Sequence, residues 1–337
     1  KRDLTIQLQP FAANPVTQLH AVLEKLNPAS FISNAPHASL SVTANLTRNE
    51  SGQLEGKILL ENHAAATLND GGLPFSAIST QARITSNILQ LQDIHAQITP
   101  GEIVSGDLIW QLEEASGSAN LLVNKLNPQH IDSRIRAAQV SGQISLKSNA
   151  QKQSASIQLK DNSISLNAAI TRSDDQVALE QFQLQRNKSQ LTGQGKFDLG
   201  NEQLFELSGN IENFNIADFI QAADSNLNAA IQLSGQLSPQ TSGILKYTIQ
   251  KSRLAKFPVT GAGQIAFNGF DQFKGKAELN IGSNHFLAQG GAGETYQLAV
   301  NAPALEQIGF GLAGDLQTHI QWNGNLQSPD LELKIKS

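Results

Sequence analysis

The sequence predicts an all-β protein: an elongated, strongly curved antiparallel sheet of repeating β-units, forming a U-shaped, taco-like groove with an apolar interior and a few short helices. Three observations predict it. Apolar and polar residues alternate along most of the chain, turn clusters cut the alternation at short intervals, and the remaining interruptions recur with a long period.

The alternation is plain in Leu40-Ser41-Val42-Thr43-Ala44-Asn45-Leu46, where every second residue is apolar, as a half-buried strand requires. It returns at Ala138/Val140/Gly142/Ile144/Leu146, Leu191/Gly193/Gly195/Phe197/Leu199, Leu227/Ala229/Ile231/Leu233/Gly235/Leu237 and Leu312/Gly314/Leu316/Thr318/Ile320/Trp322. Asn69-Asp70-Gly71-Gly72, Lys160-Asp161-Asn162-Ser163, Ser173-Asp174-Asp175, Asn268-Gly269 and Gly282-Ser283-Asn284 supply the turns. Strands joined by such short turns form an antiparallel meander. Four segments depart from the alternation. Asn14-Pro15 predicts a helix with Val16, Leu19, Leu23 and Leu26 on one face, stopped by Asn27-Pro28. Phe214, Ala217 and Ile220 give helical spacing to 214–223, and 127–131 and 302–308 are shorter versions.

These interruptions mark internal repeats. Leu26-Asn27-Pro28 resembles Leu126-Asn127-Pro128, and Phe31-Ile32 resembles Phe219-Ile220 beyond Asn215. Asn27, Asn127 and Asn215 are spaced by 100 and 88 residues, and Ala302 follows after 87. One continuous groove is therefore expected, with approximate repeats 27–126, 127–214, 215–302 and an incomplete 303–337. In the second repeat the strands are expected at 138–148, 153–160, 163–171, 176–185, 190–199 and 204–212. A polar-Gly-polar-aliphatic signature decorates many strands, at Gly56, Gly106, Gly142, Gly209, Gly235 and Gly314. Glycine on the apolar side of a strand predicts a sharp bend or close backbone approach.

Composition narrows the function. The 337 residues carry a net charge of −5, which disfavours nucleic acid as a partner. Charged residues are only 16%, so the wet face is polar but mostly neutral, and 39% hydrophobic residues exclude disorder as the main state. With no cysteine there are no disulfides, thiol chemistry or cysteine-bound metals, and the absence fits an envelope protein. No apolar run is long enough for a membrane helix or a signal peptide. A chain that opens Lys1-Arg2-Asp3 without Met reads as a piece of a longer protein.

Some twenty apolar-faced strands have little helix to cover them. Each large apolar side chain left in water forgoes about 1.5–3 kcal/mol, so the face either folds onto itself or receives something apolar. A self-filled sandwich is one solution. The long period and an aliphatic, aromatic-poor lining favour the other, a trough for acyl chains. Its expected lining is Val42, Leu46, Ile58, Leu60, Val140, Ile144, Leu146, Leu166, Ile170, Phe197, Leu207, Ile231, Leu233, Tyr247, Ile249, Ile265, Phe267, Leu279, Ile281, Ile320 and Trp322. A transmembrane barrel would need aromatic girdles, which two Trp and two Tyr cannot furnish.

Motifs of catalysis are missing. Gly309-Phe310-Gly311-Leu312-Ala313-Gly314 spells the dinucleotide fingerprint, but a helical pattern precedes it and a strand pattern follows, the reverse of what phosphate binding needs. The seven histidines have no ligand spacing, and Glu113-Glu114 and Asp174-Asp175 are turn residues. No cofactor, metal or enzymatic activity is expected.

The succession Leu8-Gln9-Pro10-Phe11, Asn14-Pro15, Leu26-Asn27-Pro28, Pro36, Leu40-Ser41-Val42, Leu54-Glu55-Gly56-Lys57-Ile58, Asn62 and Asn69-Asp70-Gly71-Gly72-Leu73-Pro74-Phe75 resembles the TamB family of AsmA-like envelope proteins, as a central periplasmic fragment. The recurring glycine signature extends the likeness diffusely over the chain. The resemblance implies a long apolar groove in the periplasm of a Gram-negative bacterium, in a parent anchored in the inner membrane. It implies phospholipid acyl chains as guests and an outer-membrane Omp85-type partner, TamA, reached through the parent. The fragment itself is expected to be monomeric. Phospholipid movement and assembly of outer-membrane proteins are both implied functions.

Overall fold

The computed structural model describes residues 2–11, 15–32, 35–99, 101–269, 272–291, 295–309, 311–323 and 330–336, with the side chains of Arg2, Gln272, 322–323 and 330–336 excepted. Twenty-two strands and one four-residue α-helix are found among them. The chain divides into two compact units, Lys1–Asn167 and Ala168–Ser337.

The first unit is an antiparallel meander of β1 (Arg2–Leu8), β2 (Val16–Leu26), β3 (Leu40–Arg48), β4 (Leu54–Asn62), β5 (Ala77–Ile84), β6 (Ile88–Gln97), β7 (Ile103–Gln111), β8 (Ser116–Leu126), β9 (Val140–Ser148) and β10 (Lys152–Lys160). Each strand pairs with the next in sequence. β11 (Ile164–Ser173) contains the division between the units. The second unit repeats the arrangement with β12 (Gln176–Arg186), β13 (Ser189–Asp198), β14 (Leu204–Phe214), β15 (Ser225–Gln236), β16 (Ser242–Leu254), β17 (Phe257–Asn268), β18 (Gln272–Ile281), β19 (Asn284–Gly290), β20 (Tyr296–Ala302), β21 (Leu316–Asn323) and β22 (Asp330–Lys336). No pairing among the described residues joins β1 to β10 or β12 to β22, so neither sheet closes into a barrel. The expected strands of 138–212 match β9 to β14 to within about two residues at each end.

The helices fare differently. The segment expected to be helical at Val16–Leu26 is β2. Leu19, Ala21 and Leu23 alternate as a strand does, facing Leu46, Ala44 and Val42. A bulge then inserts one extra residue, with Lys25 at φ 58, and returns Leu26 to the same face. The spacing that suggested a helix is a period of two plus one bulge. Segment 214–223 holds only a single 3₁₀ turn, Ile216–Asp218, before β15 begins. α1 (Pro128–Ile131) and the 3₁₀ turn Leu305–Gln307 stand where short helices were expected. Among the described residues no helix stands between Ile308 and β21, and Gly314 lies in a turn rather than in a strand. Phe310 lies outside the described residues.

Gly142 shows why glycine recurs on the apolar side. A Cβ there would lie 1.9 Å from the backbone oxygen of Gln158 on β10, so only glycine allows β9 and β10 to approach as they do. Gly56 makes the same approach, 1.9 Å from the oxygen of Asn45.

Candidate functional site

In the first unit the strand register collects one continuous apolar face. Val42 stands between Leu23 and Leu60, and Leu60 faces Ile78 on its other side. Ala44 pairs with Ile58, and Leu46 lies between Leu19 and Gly56. At the other end of the unit Val140 pairs with Leu126, Ile144 lies between Leu121 and Ile157, and Leu146 lies between Ala119 and Ala155. The residues between them, including Thr43, Asn45, Lys57, Gln143 and Lys147, alternate onto the opposite face.

The second unit builds its own face in the same manner. Phe197 lies between Val177 and Phe205, and Leu207 faces Leu233. Ile231 and Leu233 pair onward with Tyr247 and Leu245, Ile249 with Gly261, and Ile265 with Gly275. Phe267 pairs with Phe273, Leu279 with Phe286, Ile281 with Val259, and Ile320 with Leu298. Trp322 opposes Tyr296 in the backbone register, and its side chain lies outside the described residues. Leu166 and Ile170 share one side of β11 by their spacing, on either side of the division between the units.

These faces have no second layer. The longest helix among the described residues has four residues, and every strand belongs to a meander. The chain exposes 19,905 Å², whereas two separate compact units of about 18 kDa would expose roughly 16,000 Å² together. Burial is graded along the faces. Leu46 and Val123 are 4% exposed. Leu146 and Ile231 remain 40% exposed and Leu207 47%. A cluster of sealed residues in the second unit, Leu254, Val259 and Ile281, is packed by Ile249, Leu279 and Ile308. Tyr247 has its hydroxyl 2.9 Å from the backbone oxygen of Glu278, to which it donates, and burial pushes its pKa up. Among the described residues no group of three or more His, Asp or Glu could hold a metal ion.

A family model described as "TamB, N-terminal domain" matches residues 158–337, more than half of the chain. The chain belongs to the TamB family. The matched span is β10 onward, whereas the residues from Leu8 to Phe75 that carry the resemblance in the sequence lie outside it. TamB-family proteins are inner-membrane-anchored periplasmic proteins of Gram-negative bacteria and belong to a transport and assembly module with TamA. No helix among the described residues of this TamB-family chain is long and apolar enough to cross a membrane. No curated protein and no solved structure matches the chain.

Two features of this TamB-family chain escaped the sequence reading. The recurring asparagines are clamps. Asn27 Oδ1 accepts from the amides of Ala29 and Ala38, each at 3.3 Å. Asn127 Oδ1 accepts from Gln129 at 3.1 Å and Ala138 at 3.2 Å, and Asn215 Oδ1 from Ala217 at 3.2 Å and Ser225 at 2.8 Å. Each clamp ties the turn it caps to the start of the next strand region, and each follows a bulge with Lys25, Lys125 or Asn213 at positive φ. At 302–309 the roles are redistributed: Asn284 holds both the amide and the oxygen of Ala304. The repetition of Asn at these positions was visible; the second amide, ten or eleven residues away, was not. The other feature is Arg48, which shares the apolar register with Leu46 yet carries a charge.

Proposed function

We propose that the apolar faces conduct phospholipids: the chain is a periplasmic segment of an inner-membrane-anchored bridge, along which acyl chains move towards the outer membrane with TamA as the partner at its far end. The observation that carries this reading is an apolar register running strand after strand through each unit, with no layer to cover it among the described residues. Water on such a face is unfavourable by roughly 25 cal/mol per Å² of apolar surface, and hydrocarbon is the guest that removes it. The approximate repeats 27–126, 127–214, 215–302 and 303–337 are then successive lengths of the same lining, each begun by a turn. The lining residues are those from Val42 to Trp322 named from the sequence, and the register of the paired strands within each unit supports those that lie on them.

The reading is tested by photo-crosslinking. A photoreactive residue at Ile144 or Leu233 is expected to capture phospholipid, and one at Gln143 or Lys147 is not. Ile144→Arg or Leu233→Arg should cut lipid capture and transfer, because a charge in a dry trough costs a few kcal/mol unless paired, while leaving the strand order intact by circular dichroism, because both side chains are only half-buried. Equal adducts from the two faces would refute it. The family's place in a translocation and assembly module supports a second reading, in which the chain is a scaffold for inserting outer-membrane β-barrel proteins and autotransporters. Capture of unfolded barrel strands, with no lipid adducts from Ile144, would select that one.

A further inference from the structure

Arg48 is out of place on the face it occupies. It ends β3 in register with Leu40, Val42, Ala44 and Leu46, and it pairs with Leu54. From β2 to β10 every other paired position in this register is apolar or neutral, so Arg48 is the one charge among the paired positions whose side chains are described. Its Nη1 donates to Gln9 Oε1 at 3.1 Å. Its Nε and Nη2 are shut off from solvent and have no hydrogen-bond partner among the described residues. A guanidinium has five donors in a fixed fork, and leaving buried ones unmet is expensive. No acid nearby in sequence meets them: Glu55 lies on the other face, where it accepts from Asn49 at 2.9 Å and faces Arg83 at 3.5 Å. An acceptor is therefore missing among the described residues.

We propose that Arg48 is an anion-binding site for the phosphodiester of a phospholipid whose acyl chains lie on the same face; this deepens the lipid-conducting reading and rests on it. A phosphodiester offers two oxygens in the geometry that the guanidinium fork matches, and it arrives already attached to hydrocarbon. A free anion would have to cross apolar side chains without that company.

The experiment equilibrates the full chain with micelles holding equal amounts of phosphatidylglycerol and diacylglycerol of identical acyl composition, then quantifies retained lipid by mass spectrometry. The wild type is expected to prefer the phosphatidylglycerol by about tenfold or more. Arg48→Gln should bring the ratio towards one without lowering total lipid, and Arg48→Lys, which keeps charge but loses the fork, should fall between. An unchanged ratio in Arg48→Gln, or no preference in the wild type, overturns the Arg48 site and leaves the lipid-conducting reading standing. A wild type that retains neither lipid overturns that reading. Binding of inorganic phosphate alone as tightly as the lipid, read by ³¹P line broadening, also overturns the site. Should Arg48→Gln not fold, the wild type still decides: a lipid with a photoreactive headgroup must mark residues 40–57, and headgroup marks confined to other segments overturn the proposal.

Discussion

Replacing Asn215 by Ala removes one oxygen that holds two backbone amides, Ala217 at 3.2 Å and Ser225 at 2.8 Å. Both bonds are partly buried, and Ser225 is 4% exposed, so water replaces the lost acceptor poorly. At about 0.5–1.5 kcal/mol for each bond, with a larger share for an amide left dry, the loss is about 2 kcal/mol. For a unit of this size that lowers Tm by roughly 4–8 °C. Asn127→Ala should cost less, because its bond from Gln129 is exposed and water takes over that acceptor's role. Asn215→Asp keeps the acceptor but loses the Nδ2 donation to Asp224 at 3.4 Å and sets two carboxylates together, so it should recover only part of the loss. Calorimetry of the three variants gives the ranking, and amide hydrogen exchange locates it: the Ala217 and Ser225 amides should exchange faster in Asn215→Ala while β16 and β17 stay protected. A melting temperature unchanged by Asn215→Ala, or exchange that rises evenly over the unit, would refute the clamp as the fastening of the turn.

Gly142→Ala forces a Cβ to within 1.9 Å of the Gln158 oxygen and should cost about 1–3 kcal/mol in urea unfolding. Gly209→Ala, whose Cβ would sit 3.1 Å from the Thr192 oxygen, should cost clearly less, and equal midpoints for the two would count against the close-approach argument. Asp161 predicts a pH dependence. Burial opposes its charge, but hydrogen bonds from the amides of Ser163, Ile164 and Gln139 and the Ser163 hydroxyl outweigh burial and hold its pKa below the ordinary carboxylate value. A depressed folded-state pKa gives stability that is complete above the unfolded value, about 4, and is lost as pH falls through the folded value. Acid titration of the wild type should therefore show a loss in that window that Asp161→Asn lacks, and identical acid midpoints would contradict it.

The alternating face was legible because it is written with a period of two in the side chains themselves. Val140, Ile144 and Leu146 were placed together from sequence, and the register with Leu126, Leu121 and Ala119 shows the same three on one side of β9. The β2 segment was misread for an equally local reason. Val16, Leu19, Leu23 and Leu26 satisfy a helical spacing, and nothing in those letters announces that Lys25 adopts φ 58. The pairing of Leu26 with Leu40 across the bulge imposes that conformation. Nothing in the sequence marks Arg48, because the burial of two of its nitrogens depends on neighbours brought in by the fold.

By itself, then, the amino-acid order determined the class of structure, the side of each strand that faces apolar company, the turns, and the glycines and asparagines at which the pattern repeats. Only the folded chain decided which amide meets the Asn215 oxygen, where bulges reset the register, how far Leu46 is sealed while Leu207 stays open, and that no second layer of helix or strand is found over the apolar faces among the described residues. The reason is range. Alternation and capping are settled between residues a few positions apart, whereas burial, close approach and an unmet donor depend on strands brought together from distant parts of the sequence.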